Sequence, residues 1–407
     1  MRLYLTSLNP TDSVTEGFLP AAEALGWDIT ILTGHPGGYP GFETIETDVR
    51  DVRALIDTIA RHHPPGAVFS NSDHIQAETA LAAAYFGLPG KDWRACLTAK
   101  NKALTRRWLT PVESVRSVRL VPGAGLPDAV PYPVVVKPAM GVASEDVVLA
   151  RDAGELDDAV AGIRARRPGE ILVAEEYLDG PLHTLETLGD GVTTAVLGGF
   201  RTTLGPLPHF VEERLDWDPE PPPGACEHVL AALAALGVGF GACHTEYVVT
   251  PDGPRIIEVN YRVIGDNCDL LLADLTGVPL FEWILRVHAG EPLPTWREAP
   301  AAGHGAVVSL VADRSGVVTS APPAGEGRWM GPWEGPREDP REDPWNSTGE
   351  HGGVRLWHRP LRRVGDRIEL TGTNRDYLGL LRAVGPDRAG VDAAVTAFRD
   401  DRPWVIA

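Results

Sequence analysis

The sequence predicts an α/β protein with a parallel N-terminal domain and a longer mixed region behind it. Residues 1–90 alternate short apolar runs with segments of helical spacing, which is typical of a parallel sheet whose strands are joined by helices. Residues 240–262 instead place two β-branched runs around a short turn, which indicates an antiparallel hairpin. With 407 residues the chain is too long for one simple core, so we expect two or three domains.

The N-terminal region, residues 1–95, is expected to form one small parallel α/β domain. Strands are predicted at 3–8, 29–32 and 67–70, and helices at 14–25, 52–60 and 75–86. In such a sheet ligands commonly lie at the carboxyl ends of the strands. Asp73 follows the third strand there; it could cap the next helix or face a ligand, and we favour the cap.

The middle of the chain, residues 96–312, mixes helix and strand patterns. The predicted helices are 98–110, 153–165, 225–236, 269–276 and 280–289. The predicted strands are 115–121, 133–137, 147–150, 171–178, 184–188, 193–202 and 306–312. We divide this region into residues 96–180 and residues 181–312, and the hairpin belongs to the second part.

The hairpin carries the most informative polar residues of the chain. Two β-branched pairs flank a Pro-Asp-Gly-Pro turn at 251–254. Because side chains alternate along a strand, Glu258, Asn260 and Arg262 share one face, which Glu246 on the partner strand can reach. Two carboxylates and an amide oxygen suit Mg²⁺, and a planar guanidinium beside them suits a phosphate. The hairpin therefore predicts a metal–nucleotide site.

Lysine is scarce in this chain, with only Lys91, Lys100, Lys102 and Lys137 present. Arginine occupies nearly every other basic position. A position that keeps lysine in such a chain is a better candidate than usual for a role that arginine cannot fill. Lys137 ends a Val-Val-Val run, where a buried ammonium is costly unless an anion pairs with it. We expect that anion to be a phosphate, with a local carboxylate as the alternative. For Lys102, which we also expect to meet phosphate, the alternative is a solvated helix face.

With these segments in view, the chain resembles the ATP-grasp superfamily of carboxylate–amine ligases over residues 1–312. Four blocks carry the resemblance, in the order typical of the family: 101–106 (Asn-Lys-Ala-Leu-Thr-Arg), 134–138 with Gly141 and Ser144, 175–180, and Glu246 with 258–262. They are similar to the nucleotide-domain entry helix, the second phosphate lysine with its flap, the adenine hinge and the metal-binding hairpin. The resemblance implies a two-part nucleotide-binding fold, in which 96–180 is the small lid subdomain and 181–312 holds the metal site.

The resemblance also implies the cofactors and the roles of individual residues. ATP and Mg²⁺ are expected, with two metal ions for which Mn²⁺ could substitute. The implied metal ligands are Glu246, Glu258 and Asn260, and the implied catalytic residues are Arg262 and Lys137. The implied nucleotide-binding residues are Lys102, Lys137, Ser144, Glu175, Glu176, Leu178 and His183. In the hinge, backbone groups of Glu176 and Leu178 would recognise adenine, while one carboxylate or His183 would contact the ribose.

Three further residues are candidates for binding substrate. Arg201 could bind a substrate carboxylate or be solvated. Asp266 and Asp269 follow the hairpin, where the sequence departs from the paired glycines common in the family. Either aspartate could pair with a substrate ammonium or cap a helix, and both alternatives stay open.

The C-terminal region, residues 313–407, is predicted to be a small α+β extension, and no function is assigned to it. Strands are predicted near 354–357 and 367–370, and a helix near 388–399. The stretch 334–350 contains a proline-spaced tandem repeat and is expected to be an exposed loop.

Charge and composition narrow the expected partners and location. The formal net charge of −19 argues against nucleic acid and anionic membranes as partners. No apolar run reaches the ~18 residues of a membrane span, and the chain start lacks a signal-peptide pattern. The scattered cysteines favour a reduced compartment, so we expect a cytoplasmic enzyme that acts on small molecules. The resemblance makes a homodimer an option.

The function favoured by these observations is ligation. An ATP-dependent enzyme would activate a carboxylate as an acyl phosphate and couple it to an amine, releasing ADP and phosphate. An amino acid or a carboxylate of the siderophore or specialised-metabolite type is the expected substrate. One alternative is another ATP-grasp chemistry, such as bicarbonate carboxylation or a purine-pathway ligase. The other is a nucleotide-binding protein without catalysis, which the full set of metal and phosphate residues disfavours.

Overall fold

The computed structural model describes residues 1–127, 129–294, 303–329 and 353–407, with the backbone alone at 326–329. The loop predicted at 334–350 lies outside the described residues. None of the helices in the described ranges combines the length and apolar character that crossing a membrane requires.

The N-terminal region forms a parallel sheet, as predicted, in the order β3-β2-β1-β4; it has four strands rather than three, because β3 was not predicted. Its elements are β1 (Arg2–Thr6), α1 (Leu19–Ala24), β2 (Asp28–Thr33), β3 (Glu43–Glu46), α2 (Val52–Arg61), β4 (Ala67–Phe69), α3 (Gln76–Tyr85) and α4 (Trp93–Lys100). The apolar residues of β1 and β2 are buried in continuous runs, which is typical of strands covered on both faces. A π-helix, Ser13–Phe18, leads into α1.

The next region contains a four-stranded antiparallel sheet in the order β5-β8-β6-β7, with a helix packed on one face. Its elements are α5 (Lys102–Leu109), β5 (Ser117–Leu120), β6 (Val134–Pro138), β7 (Val148–Ala150), α6 (Ala153–Arg166) and β8 (Leu172–Glu176). The prediction of a single helix at 98–110 is wrong, because the helix is interrupted at Asn101. Its Oδ1 atom accepts hydrogen bonds from the backbone N–H groups of Ala103 and Leu104 and so caps a new helix, α5.

The rest of the chain is organised around one nine-stranded antiparallel sheet in the order β13-β12-β9-β10-β11-β14-β19-β17-β16. The elements before residue 312 are β9 (Leu182–Asp190), β10 (Thr194–Leu204), β11 (Glu212–Asp218), α7 (Ala225–Leu236), β12 (Phe240–Thr250), β13 (Gly253–Asn260), α8 (Cys268–Thr276), α9 (Leu280–His288) and β14 (His304–Val311). Those after it are β15 (Gly316–Ser320), β16 (Gly325–Trp329), β17 (Val354–Pro360), β18 (Arg367–Ile368), β19 (Tyr377–Gly385), α10 (Arg388–Asp401) and β20 (Val405–Ile406).

The nine-stranded sheet runs across the predicted boundary at 312, because β14 pairs with β19 from His304↔Gly385 to Val311↔Tyr377. The C-terminal extension therefore shares a sheet with the metal-site hairpin. The predicted division into four regions stays a prediction.

Helix α9 joins the parallel domain to the large sheet. Phe281 of α9 packs edge-on against Phe18, with ring centroids 5.0 Å apart. A Cβ atom at Gly17 would lie 2.4 Å from the Phe281 ring, so only glycine fits there. Helix α9 also contacts β4 of the parallel sheet and β12 of the large sheet.

Candidate active site

A cavity of about 330 Å³ lies between the small antiparallel sheet and the nine-stranded sheet; we call it the central cavity. It brings together most of the predicted site residues, although they come from distant segments. Those that line it are Lys102, Lys137, Ser144, Glu175, Glu176, Leu178, Glu246, Glu258, Asn260, Arg262 and Asp266.

The predicted hairpin is confirmed, with β12 and β13 paired so that Glu246 lies opposite Glu258. The turn between them closes at Gly253, whose φ of +99° is the left-handed region that glycine tolerates. The Nδ2 atom of Asn260 donates to Oε1 of Glu246 at 3.4 Å. The face therefore presents two carboxylates and an amide to the central cavity.

Lys102 contacts both sides of the central cavity. Its Nζ atom donates to Oε1 of Glu258 at 2.7 Å and to the carbonyl of Gly141 at 3.0 Å. Burial alone would lower the pKa of Lys102, but the charge of Glu258 outweighs it and raises the pKa. The solvated-face alternative is wrong, because Lys102 is only 6% exposed.

Lys137 is held by a carboxylate of the predicted hinge. Its Nζ atom lies 2.7 Å from Oε2 of Glu175, whose Oε1 atom accepts from Nε of Arg106 at 2.8 Å. Burial would raise the pKa of Glu175, but these two cations outweigh it and hold the pKa at about 2. Lys137 thus has a local carboxylate partner and also lines the central cavity, so its predicted phosphate contact stays a prediction.

The side chains of both hinge glutamates are paired with protein cations, and the expected ribose contact stays a prediction. Glu175 is occupied by Arg106 and Lys137, and Glu176 accepts from both the backbone N–H (2.8 Å) and Nε (2.7 Å) of Arg116. Both side chains therefore support the hinge from the protein side. The predicted contacts through the backbone of Glu176 and Leu178 remain predictions.

Three predicted residues lie away from the central cavity. His183 points to the other face of β9 from Leu182 and Thr184, stacks on Tyr247 and lies 3.6 Å from Asp218. Arg201, opposite His183 in register, is exposed on the surface. Asp269 is fully buried, and its Oδ1 atom accepts from the N–H of Leu270 at 2.9 Å. The structure thus does not bring His183, Arg201 and Asp269 to the other predicted residues.

Asp266 does line the central cavity. It and Asn267 have left-handed backbones, with φ of 54° and 66°, which turn the chain sharply after Arg262. Asn267 rather than Asp266 stands at the start of α8, so Asp266 is not the helix cap. Burial raises the pKa of the Asp266 carboxyl, and Arg262 opposes that effect.

Asp73 also has a role other than the one we favoured. Ser72 stands at the N-cap position, and Asp73 instead forms an ion pair with Lys100. Both side chains are only 10% exposed. Burial would raise the pKa of the Asp73 carboxyl, but the charge of Lys100 outweighs burial and lowers it. The charge of Arg262 lowers it further.

Glu212 is a cavity residue that the sequence reasoning missed. It begins β11, a strand that was not predicted, although alternating polar residues from 212 to 218 could have indicated one. Burial and the nearby charges of Glu246 and Asp266 raise the pKa of Glu212 to about 8. The central cavity therefore holds more carboxylates than the hairpin alone supplies.

His244 of β12 lines the central cavity beside the hairpin carboxylates. Its Nδ1 atom is 2.7 Å from Oε1 of Glu186, and its Nε2 atom is 3.4 Å from Oε1 of Glu246. Burial would lower the pKa of His244, but Glu186 and Glu246 raise it to about 10. His244 is thus a buried cation that fixes the orientation of Glu246.

Known proteins were compared with this chain and its structure. The L-amino acid ligase from Bacillus licheniformis matches the whole chain at a TM-score of 0.77 and 22% identity, and 98% of that chain is covered. The chain has the fold of the ATP-grasp ligases. The structure also matches the biotin carboxylase domain of a Hydrogenobacter thermophilus 2-oxoglutarate carboxylase, which was solved with MgADP and bicarbonate. That match has a TM-score of 0.65 and 17% identity, covering 100% of this chain and 90% of that one.

Relatives found by sequence cover different shares of the chain. An uncharacterized protein, y4rH, from Sinorhizobium fredii is 27% identical over 100% of this chain and 84% of its own length. Carnosine synthase 1 of Homo sapiens is 28% identical over 61% of this chain, which spans only 34% of that enzyme. No family model matches the chain.

Proposed function

We propose that the protein is an ATP-dependent ligase that activates a carboxylate as an acyl phosphate and joins it to an amine. One observation carries the proposal: a single cavity holds two buried lysines, a hairpin with two carboxylates and an amide, and an arginine. Phosphoryl transfer depends mainly on positioning and charge neutralisation, and these residues supply both. The names of the L-amino acid ligase and carnosine synthase 1 among the similar proteins support the carboxylate–amine type.

The phosphate chain of ATP would lie between the lysines and the loop after β6. Lys102 and Lys137 would neutralise its oxygens, and the backbone N–H groups of Gly141 to Ser144 would donate to it. Arg262 would bind the transferring phosphoryl group and the oxyanion of the acyl phosphate. The amine then displaces phosphate, leaving an amide and free phosphate.

The donor set fits Mg²⁺ that arrives with the nucleotide. Glu246, Glu258 and Asn260 would hold it, and in the described part of the chain no three His, Cys, Asp or Glu side chains form a metal cluster by themselves. Mg²⁺ typically uses one or two carboxylates together with substrate phosphates and water. When bound, it supplies the charge that neutralises the phosphates during transfer.

The acidic part of the cavity favours a substrate with an ammonium group. Glu212 and Asp266 both line the cavity near Arg262. Burial raises the pKa of both carboxyls, and the charge of Asp266 further raises the pKa of Glu212. An ammonium beside them would favour their charged forms and lower both pKa values. An amino acid provides such a group, and its carboxylate could reach Arg262.

The proposal is tested with a panel of amino acids, singly and in pairs, incubated with Mg–ATP. ADP release that requires the substrates, together with a dipeptide or another amide seen by mass spectrometry, is the expected result. Turnover that depends on bicarbonate would instead favour the carboxylation alternative. ATP binding without ADP release for any pair would favour a non-catalytic protein.

A further inference from the structure

The C-terminal extension reaches the central cavity through one turn, residues 373–377. Asn374 lines the cavity beside residues of regions 96–180 and 181–312. Its backbone N–H donates to the carbonyl of Ala143 at 3.2 Å, and its Oδ1 atom accepts from the N–H of Glu212 at 3.1 Å. A single residue thus contacts both the loop between β6 and β7, residues 139–147, which we call the phosphate loop, and the strand that carries Glu212.

The neighbours of Asn374 strengthen both contacts. Arg375 forms an ion pair with Glu145 of the phosphate loop. The hydroxyl of Tyr377 donates to the carbonyl of Glu212 at 2.6 Å, and Tyr377 is buried. The extension therefore holds Glu212 by its N–H and by its carbonyl.

Hydrogen bonds within residues 371–376 satisfy the polar groups of the turn. The Asp376 carboxylate accepts from the N–H groups of Thr371 (3.0 Å) and Gly372 (2.8 Å), and Thr373 Oγ1 accepts from the N–H of Arg375 at 3.2 Å. Asp376 is buried. A turn with its polar groups satisfied in this way can fix the position of what it contacts.

The phosphate loop, in contrast, has a conformation that needs outside support. Ala143, Ser144 and Asp146 all have left-handed backbones, with φ of 56°, 52° and 59°. Residues other than glycine keep such a conformation only where surrounding contacts impose it. Arg167 binds Asp146 at 2.7 Å from one side, and the C-terminal turn binds Ala143 and Glu145 from the other.

We propose that Asn374 and Arg375 are positioning residues, which hold the phosphate loop in register with the strand carrying Glu212. The consequence for catalysis rests on the proposed function. An acyl phosphate formed at the loop must meet an amine held near Glu212, and small misalignment lowers the rate of that step steeply. A poorly aligned acyl phosphate is instead lost to water. The C-terminal extension is then a part of the active site.

The first measurement is hydrogen exchange of the full-length protein without substrates. Arg375→Ala should speed exchange in peptides covering 142–146, and Asn374→Ala should speed exchange at the Glu212 amide, each by about fivefold for one lost hydrogen bond. Arg375→Lys, which keeps the charge, should restore part of the protection. Arg363→Ala is the matched control, because Arg363 is an 89% exposed arginine of the same extension.

The second measurement is the amount of amide formed per ADP. Asn374→Ala and Arg375→Ala should lower it by about fivefold or more, with ADP formation changing less, since the acyl phosphate still forms. The control variant should match the unaltered protein in both measurements. Unchanged exchange in both variants, or an unchanged amide yield despite faster exchange, would overturn the proposal. If the unaltered protein makes no amide, the proposed function fails, and the exchange result alone decides whether these residues hold the loop.

Discussion

Replacing Glu175 tests the buried charge network that orients Lys137. A solvated glutamate titrates near 4.5, and in the fold the pKa of Glu175 is held at about 2. The separation of about 2.5 pKa units, at 1.36 kcal/mol each, corresponds to about 3 kcal/mol of stability at neutral pH. Glu175→Gln should therefore lower the free energy of unfolding by about 3 kcal/mol, because it leaves Arg106 and Lys137 buried without their shared carboxylate.

The neighbouring residue provides the control. Glu176 pairs with Arg116, which is 68% exposed, so Glu176→Gln should change the free energy of unfolding by less than about 1 kcal/mol. Urea unfolding at pH 7, followed by circular dichroism and tryptophan fluorescence, gives both values.

The pH dependence of the same difference gives an independent check. Because the pKa of Glu175 is lowered in the fold, its contribution is present above pH 4.5 and is lost as pH falls towards 2. The difference between the unaltered protein and Glu175→Gln should therefore fall to about half by pH 3. If Glu175→Gln costs no more than Glu176→Gln at pH 7, the network does not hold Lys137.

The remaining predictions concern the site directly. Glu258→Gln and Arg262→Ala should each lower kcat for ADP formation by about a thousandfold with an unchanged circular dichroism spectrum, and near-normal kcat in either would contradict its role. Calorimetry should show Mg²⁺ binding at least about tenfold more tightly with a non-hydrolysable ATP analogue present than to the protein alone, since two carboxylates and an amide leave the coordination sphere incomplete. Binding of a cationic amino acid should strengthen as pH rises from 7 to 9, because the Glu212 carboxyl loses its proton near pH 8. Glu212→Gln should abolish that rise in calorimetric titrations, whereas Glu213→Gln, outside the cavity lining, should keep it.

Local patterns explain where the sequence-based predictions succeeded. The β12–β13 hairpin was predictable because its turn chemistry and strand alternation lie within about 20 residues. The break at Asn101 was missed although its signal is also local, because helical spacing continues across the capping side chain that separates the two helices. His183 lies on the face of β9 away from the cavity. That placement depends on the register of β9 between β10 and β12, which cannot be predicted from the local sequence.

Other features of the site depend on contacts between distant residues. Lys102 meets Glu258 across 156 positions of the chain, and Asn374 meets Glu212 across 162. Such contacts leave no periodic signal in the sequence, because each residue is an ordinary polar side chain in its own segment. Asn374 reaches the cavity only because β19 of the extension pairs with β14 in the large sheet.

The sequence by itself determined the parallel N-terminal domain, the hairpin and the set of charged residues suited to phosphate and metal. Residue type and short-range spacing are enough for these, since they follow from strand alternation and ligand chemistry. Tertiary structure alone decided how the charges pair, which of them face the central cavity, and that Glu212 and Asn374 join them. The physical reason is that a buried charge is stable only beside a partner, and the folded topology decides which partner is near.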